Sequence, residues 1–380
     1  MKGGCCSMKT TKKFTKVEKS WILYDWANSV YATNILAVIF PIYFNSVCKA
    51  SGADNLVLWS YGTSAATFLV AVLAPVLGAL ADHKGHKKKL FAAFLFIGVT
   101  FTLSNAFVDS YQLLLAGYVL SHIGFSGSCL FYDSFLTDVT TPERMDRVSS
   151  WGYAMGYIGG STIPFVLSII LLMVMGMDNV LAFKLVIILT SLWWLVFSIP
   201  MLKNVKQIHY VEGQKNLVRS SLSNLWRTAR DIFADKKIFV FLIAYFFYID
   251  GVNTIIAVST SYGSKLGLGN ISMILALLMT QIVAVPFSIL FARLAEKLGS
   301  INVLCGAVGV YFFITLVGFF MGFNIEQHPG DQGALTLSLV LFWCMAFLVG
   351  TVQGGIQAIS RSYFGKLIPA QRSNEYFGFF

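Results

Sequence analysis

Long apolar runs, each broken by a short polar or basic stretch, follow one another along the whole chain. A helix crossing a bilayer takes about 20 apolar residues, and an uncharged run of 18 or more is its usual signature. On that measure the pattern predicts ten spans: Trp21 to Phe44, Leu56 to Ala81, Leu90 to Val108, Tyr111 to Leu136, Trp151 to Val174, Leu181 to Leu202, Ile238 to Tyr262, Ile271 to Phe291, Ile301 to Phe323 and Ala334 to Ser360. The first run is too long and too uninterrupted for a cleaved signal peptide, so it counts as a span. The chain thus divides into a six-helix bundle over 1–202, a basic linker over 203–237, and four helices plus the start of a fifth over 238–380.

Composition excludes the soluble alternative. Of 380 residues 56% are hydrophobic and 12% charged, against roughly 25% charged in an average soluble domain. The net charge of +10 would suggest nucleic acid in a soluble protein. Here the cations sit in short blocks between apolar runs, which reads as topology, so no nucleic-acid partner is expected. Lys and Arg favour the cytoplasmic side. All but Lys49, Lys184 and Lys265 fall before span 1, after even-numbered spans or at the C-terminal end, which puts both chain ends in the cytoplasm. The linker's Ser-Asn-Leu-Trp-Arg stretch suits a short amphipathic helix on the membrane surface. Six cysteines without paired spacing, Cys5, Cys6, Cys48, Cys129, Cys305 and Cys344, indicate neither a disulfide framework nor a zinc site.

Transporters are commonly built from repeated halves, and the two parts of this chain align at three anchors. Asp25-x-x-Asn28 in span 1 answers Asp250-x-x-Asn253 in span 7. Gly78-Ala79-Leu80-Ala81-Asp82 after span 2 answers Ala292-Arg293-Leu294-Ala295-Glu296 after span 8. Pro142, Arg144 and Gly152 answer Pro369, Arg372 and Gly378. Their shared order and similar offsets, 214 to 228 residues, argue for a parallel duplication. On this register the chain stops where the counterpart of span 5 begins, so two spans, about 50 residues at helix-spanning length, are expected to be absent. A natural ten-span protein is the alternative.

Ionisable residues inside a membrane cost about 2.5–3.5 kcal/mol on insertion scales and usually face the bundle interior with a partner. Asp250, near the middle of span 7 with Asn253 on the same helical face, fits best as a substrate-amine contact or proton carrier. Asp25 falls about a turn inside span 1, where it could simply reach the interface; Asn28 extends its face. Tyr24 and Trp26 suit either a cavity mouth or an interfacial aromatic belt. Span 4 is unusually polar, with Ser121, His122, Ser126, Ser128, Tyr132 and Asp133. His122 could relay protons, although a helix-to-helix hydrogen bond is the more frequent role for such a histidine. Gln353 and Gln357 in span 10, one helical turn apart, could bind a zwitterion. Gly152, Gly156 and Gly160 form a small-residue stripe for close packing.

Gly78-x-Leu80-Ala81-Asp82-x-x-Gly85, followed by Lys87-Lys88-Lys89, resembles the signature loop of the major facilitator superfamily. Within it, Trp21-x-x-Tyr24-Asp25-Trp26-Ala27-Asn28-Ser29, Gly156-Tyr157-Ile158-Gly159-Gly160 and Gly354-Gly355-x-Gln357-Ala358-x-Ser360-Arg361-Ser362 look like the vacuole-effluxer (autophagy-related) family. The resemblance implies an all-α membrane fold of twelve helices in two pseudo-twofold related bundles, with spans 1, 4, 7 and 10 lining a central cavity. It also implies secondary transport of a small solute, amino acids being the first candidate since the fungal family is associated with their export from the vacuole. Gly78, Asp82, Gly85, Lys87, Glu296 and Arg361 then become gating residues. Asp82 would clamp the halves against the start of span 11, and Glu296 against the start of span 5 near Ser149 to Gly152.

The expected mode is alternating access by a monomer in contact with lipid, coupled to a proton or sodium. The membrane would be the plasma membrane in a prokaryote and the vacuolar or lysosomal membrane in a eukaryote. No Walker A sequence and no cofactor site is present, so ATP is not the evident energy source. Two other readings stay open. One is a truncated, non-transporting membrane protein. The other is an intramembrane aspartyl protease built on Tyr24-Asp25 and Tyr132-Asp133, although the Gly-x-Gly-Asp partner is missing.

Overall fold

The computed structural model describes residues 13–380 except 213–216, 266–269 and 329. Among these, ten helices are long and apolar enough to cross a membrane. They are span 1, Lys16–Ala50; span 2, Val57–Ala81; span 3, His86–Phe107; span 4, Tyr111–Val139; span 5, Met145–Met175; span 6, Val180–Asn204; span 7, Lys236–Ile256; span 8, Leu275–Leu298; span 9, Ser300–Gln327; and span 10, Gln332–Leu367. Two further helices matter. A linker helix covers Leu217–Ala234 and a terminal helix Ser373–Phe379. Large side chains such as Phe68, Met173, Phe312 and Phe319 lie exposed on the flanks of the spans, as a lipid-facing surface requires.

Span 1 starts five residues before its apolar run, because Thr15 and Glu18 form a reciprocal capping box that satisfies the first free N–H groups. Asp25, which is buried, therefore lies about 14 Å along the helix from Lys16, at 1.5 Å per residue. Span 1 loosens into wide turns over Ala32–Ala37, and span 5 does the same over Gly156–Thr162. Single wide turns of this kind recur at functional sites.

Buried apolar side chains gather into two clusters, one running from Trp21 to Val205 and the other from Ile232 to Phe377. Between them the linker first lies across the signature loop. Val211 N donates to Asp82 O at 2.8 Å, Gly85 N donates to Gln207 Oε1 at 2.9 Å, and Gln207 Nε2 donates to Ala81 O at 3.1 Å. Gly85, at φ +76°, makes the left-handed turn that starts span 3 and frees its N–H for that contact. The linker's Trp-Arg pair, Trp226 and Arg227, lies within the linker helix. These loops, together with Lys13 and Phe380, mark the basic end of the molecule.

Candidate functional site

Arg361 of span 10 is buried between the two halves. Its Nη2 donates to Asp25 Oδ2 at 3.1 Å, its Nη1 to Asp133 Oδ1 at 2.9 Å and its Nε to Ser149 Oγ at 2.9 Å. Nη2 also reaches Ser149 O at 3.1 Å. Three aromatic faces enclose the guanidinium: Tyr153 at 4.5 Å, Trp21 at 4.6 Å and Tyr132 at 5.3 Å. A planar cation with five donors suits this box better than a lysine would, since it can serve two carboxylates and stack at once. Tyr132 adds a hydrogen bond from its hydroxyl to Asp25 Oδ2 at 2.7 Å. Gly152 lets span 5 approach, because a Cβ there would strike Asp25 Oδ2 and lie 3.2 Å from Arg361 Nη2.

The polar density of span 4 now has a structural account. Spans 1 and 4 are stitched along their length: Trp21 Nε1 donates to Tyr132 O at 2.9 Å, Tyr24 OH to Ser128 Oγ at 2.9 Å, and Tyr31 OH pairs with Ser121 Oγ at 2.8 Å. Asn28 Nδ2 faces Cys129 Sγ at 3.8 Å. The rungs satisfy hydroxyls that lipid would leave unpaired. They also hold Tyr132 and Asp133 in place for Arg361.

Nearer the basic end, two charged knots tie the halves together. In the first, Lys87 Nζ donates to Asp138 Oδ2 at 2.7 Å and Ser373 Oγ at 3.1 Å, while Asp82 Oδ1 accepts from Asn374 N at 3.0 Å and Asp82 Oδ2 from Glu375 N at 3.0 Å. A carboxylate at the C-terminal end of span 2 opposes that helix's dipole, and the amides that open the terminal helix offset it. A Cβ on Gly78 would strike Asn374 O, so glycine is what lets the two backbones meet. Asp82 lies just beyond span 2, and burial raises its pKa to about 7, against the pull of its hydrogen bonds and Lys87.

The second knot is centred on Asp146 at the start of span 5. It accepts from Lys366 Nζ at 2.5 Å, Ser362 Oγ at 2.6 Å and Ser300 Oγ at 3.1 Å. By the sequence repeat, Lys87 corresponds to the Ser300 region, Asp138 to Lys366, and the Ser373–Asn374 pair to Asp146. Corresponding regions, within a residue of register, carry cation, anion and hydroxyl in one knot and hydroxyl, cation and anion in the other. Ser149 Oγ donates to Ala358 O at 2.7 Å between the knot and the triad of Arg361, Asp25 and Asp133. These contacts seal the basic end.

The remaining candidates are distributed otherwise. Asp250 and Asn253 are exposed and form no hydrogen bond or ion pair among the described residues. The lead acid expected of span 7 is thus unpaired, because sequence register locates a residue along a helix but not which face its neighbours cover. Glu296 is exposed as well, and Asp146 meets the start of span 9 in its stead. His122 is half-buried against Tyr118, with ring centroids 5.6 Å apart, about 16 Å along span 4 from Asp133. Gln353 lines a small cavity inside the second half with Ser259, Thr280 and Gln281, and Gln357 is half-buried a turn nearer Arg361.

Sequence reasoning missed Asp138, Asp146, Ser149, Lys366 and Glu18. Glu18, buried, accepts a two-pronged bond from Arg144, Nε to Oε1 and Nη2 to Oε2, both at 2.8 Å. Its signal, the Thr15-x-x-Glu18 capping box, was present in the sequence. Asp146 and Lys366 stand at helix ends beside long apolar runs, where a charge looks like an ordinary loop residue.

Solved structures share the fold. A bacterial homologue of the iron transporter ferroportin, in its outward-facing state, superposes with a TM-score of 0.65 at 15% identity, over 96% of this chain and 87% of that one. The proton:xylose symporter XylE superposes at 0.56 with 11% identity, over 96% and 86%. The fold is that of the major facilitator superfamily, and the protein is an integral, multi-pass membrane protein. Residues 56–380 match the family described as "Vacuole effluxer Atg22 like". The "Uncharacterized MFS-type transporter YxiO" of Bacillus subtilis strain 168 is 42% identical over 379 residues, covering 97% of this chain and 85% of that one. The chain belongs to this Atg22-like family of MFS-type transporters, which are not enzymes. Autophagy-related protein 22-1 of Aspergillus fumigatus is a more distant relative, 22% identical over 93% of this chain and 70% of its own length.

Proposed function

We propose that this transporter moves a small zwitterionic solute, an amino acid being the first candidate, by alternating access, with its basic end in the cytoplasm and proton movement coupled through Asp25, Asp133 and Arg361. The observation that carries the reading is the buried Arg361 fork, which joins acids of spans 1 and 4 to span 10. Breaking a buried ion pair by removing one partner costs about 3–5 kcal/mol, because a charge is left uncompensated. Opening the basic end therefore needs replacements for those charges. A proton on one carboxyl supplies part of that compensation. A zwitterion supplies the rest, its carboxylate to Arg361 and its ammonium to Asp25 or Asp133, so the separated halves keep their charges paired.

The same geometry argues against shared-proton aspartyl chemistry, since both acids already serve a guanidinium. The family's description as a vacuole effluxer favours outward movement from a compartment, and the basic loops favour cytoplasmic chain ends. His122, Gln353 and Gln357 lie farther from the sealed end, on the helices expected to line the path, and contribute to solute contact once it opens. Asp250 and Asn253 join that path only if a neighbour covers span 7. Uptake of radiolabelled amino acids into proteoliposomes, with and without a pH gradient, is the test. Accumulation that depends on the gradient supports the proposal; flat traces for every amino acid defeat it.

A further inference from the structure

The linker helix takes no part in the triad or in either knot, yet its two faces differ sharply. Thr228 and Ile232 are buried, and Arg372 Nη1 donates to Asp231 Oδ2 at 2.8 Å with a further bond to Thr228. The opposite face carries Trp226, 80% exposed, Arg230, exposed, and Phe233, 70% exposed. Positions 226, 230 and 233 are spaced by four and three, so they form one stripe along the helix.

The depth of that stripe is fixed by the joint that follows. Asp235 caps span 7 directly, accepting from Lys237 N at 2.9 Å and Ile238 N at 3.3 Å, so one residue separates the linker helix from a membrane span. Phe233 already touches Phe239 in the first turns of that span, ring centroids 5.3 Å apart. The exposed aromatics therefore stand where headgroups meet acyl chains, the level that tryptophan favours and at which arginine keeps its charge in water. The linker over 203–237 holds eight Lys and Arg against three Asp and Glu. A surface that alternates aromatic and cationic groups beside a span complements anionic phospholipid.

We infer that the linker helix docks on anionic phospholipid of the leaflet at the basic end through Trp226, Arg230 and Phe233. Its other face then presents Asp231 and Thr228 to Arg372, the residue immediately before the terminal helix that Asp82 clamps. Lipid contact thereby holds one wall of the sealed end. This inference does not depend on the solute or on its coupling, and its test reads no transport.

The experiment uses the full chain with its cysteines replaced by serine, then Trp226→Cys labelled with an environment-sensitive fluorophore. The labelled protein goes into nanodiscs of phosphatidylcholine alone or with about one-third phosphatidylglycerol. Docking predicts a blue shift and reduced iodide quenching in the anionic discs, both reversed by high salt. Adding Arg230→Glu, an exposed position, lowers the protected fraction roughly fivefold or more, fivefold being the scale of losing one basic charge at the surface. A label equally wet in both lipids overturns the inference. So does one equally buried in both, or protection indifferent to Arg230→Glu.

Discussion

Arg361 and Asp25 are separated by 336 positions in the chain and by 3.1 Å between Nη2 and Oδ2. Both are buried, and Asp133 occupies the guanidinium's other terminal nitrogen at 2.9 Å. Arg361→Lys keeps one charge but loses the fork and the stacking that serve both acids. Transport is expected to fall by about tenfold or more while the folded protein survives, since an ammonium can still pair with one carboxylate. Proteoliposome uptake paired with thermal unfolding of the same preparation separates the two effects. Equal transport by both proteins would remove the fork from the mechanism.

Gly152 tests the same contact from the side. Its Cβ position is occupied by Asp25 Oδ2, so Gly152→Ala must push span 5 from span 1 or displace the carboxylate. Overpacking of this kind costs about 1–3 kcal/mol. The strain falls on the sealed conformation, in which Arg361 is 3.2 Å away as well. Deuterium exchange of the Met145–Met155 segment is expected to rise, with a lower melting temperature. Unchanged exchange would mean the site relaxes freely.

The charge exchange between the two knots makes a sharper claim. Lys87 pairs with Asp138 in one, and Lys366 with Asp146 in the other. If Asp146 and Lys366 act as a latch, Asp146→Lys and Lys366→Asp alone each favour the open basic end by about tenfold, near 1.4 kcal/mol for a partly exposed pair. The two together are expected to recover most of the closed population. Spin-label distances between the span 4–5 loop and the span 8–9 loop would report it. Additive losses in the double variant would show that the pair is not coupled.

Asp82 gives the pH dependence. Burial holds its pKa near 7 in the sealed form, whereas a solvated aspartate titrates near 3.9. The raised value means sealing takes up a proton. Acidification from pH 7 toward 4 therefore favours the closed basic end by up to about tenfold per pH unit, and the preference fades above pH 7. Asp82→Asn should flatten the slope in an exchange measurement on Ser373–Phe379. A slope that survives the substitution assigns the proton elsewhere.

How far the sequence could be read follows from which physics each feature uses. Span positions depend on apolar length, and all ten appear. Asp82 was legible too, since a carboxylate at a helix C-terminal end needs a helix N-terminus, and the terminal helix provides it. Arg361 stands in a family motif, but its pairing with Asp25 and Asp133 is a contact between distant helices that no local pattern encodes. Apolar length alone makes Asp25 shallow, because it does not register that Thr15 and Glu18 start the helix earlier. Asp250 looked central for the opposite reason. Apolar length locates it along span 7, but helical position alone does not tell which face packs.

Glu18 combines two roles that one pair of variants can separate. It closes the capping box, accepting Thr15 N at 2.8 Å, and it receives the fork of Arg144 from the loop before span 5. Thr15→Ala removes the cap bond to Glu18 N and is expected to cost about 1 kcal/mol. Glu18→Gln leaves the box workable, because glutamine also serves at that position. Its loss therefore reports the Arg144 ion pair together with the Thr140 hydroxyl that donates to Oε1 at 2.7 Å, about 1–3 kcal/mol for a buried carboxylate hydrogen-bonded to a charged group. If the fork matters more than the cap, Glu18→Gln melts at a lower temperature than Thr15→Ala in the same nanodiscs. The reverse order would mean that Arg144 finds other acceptors and that span 1 is held mainly by its own first turn.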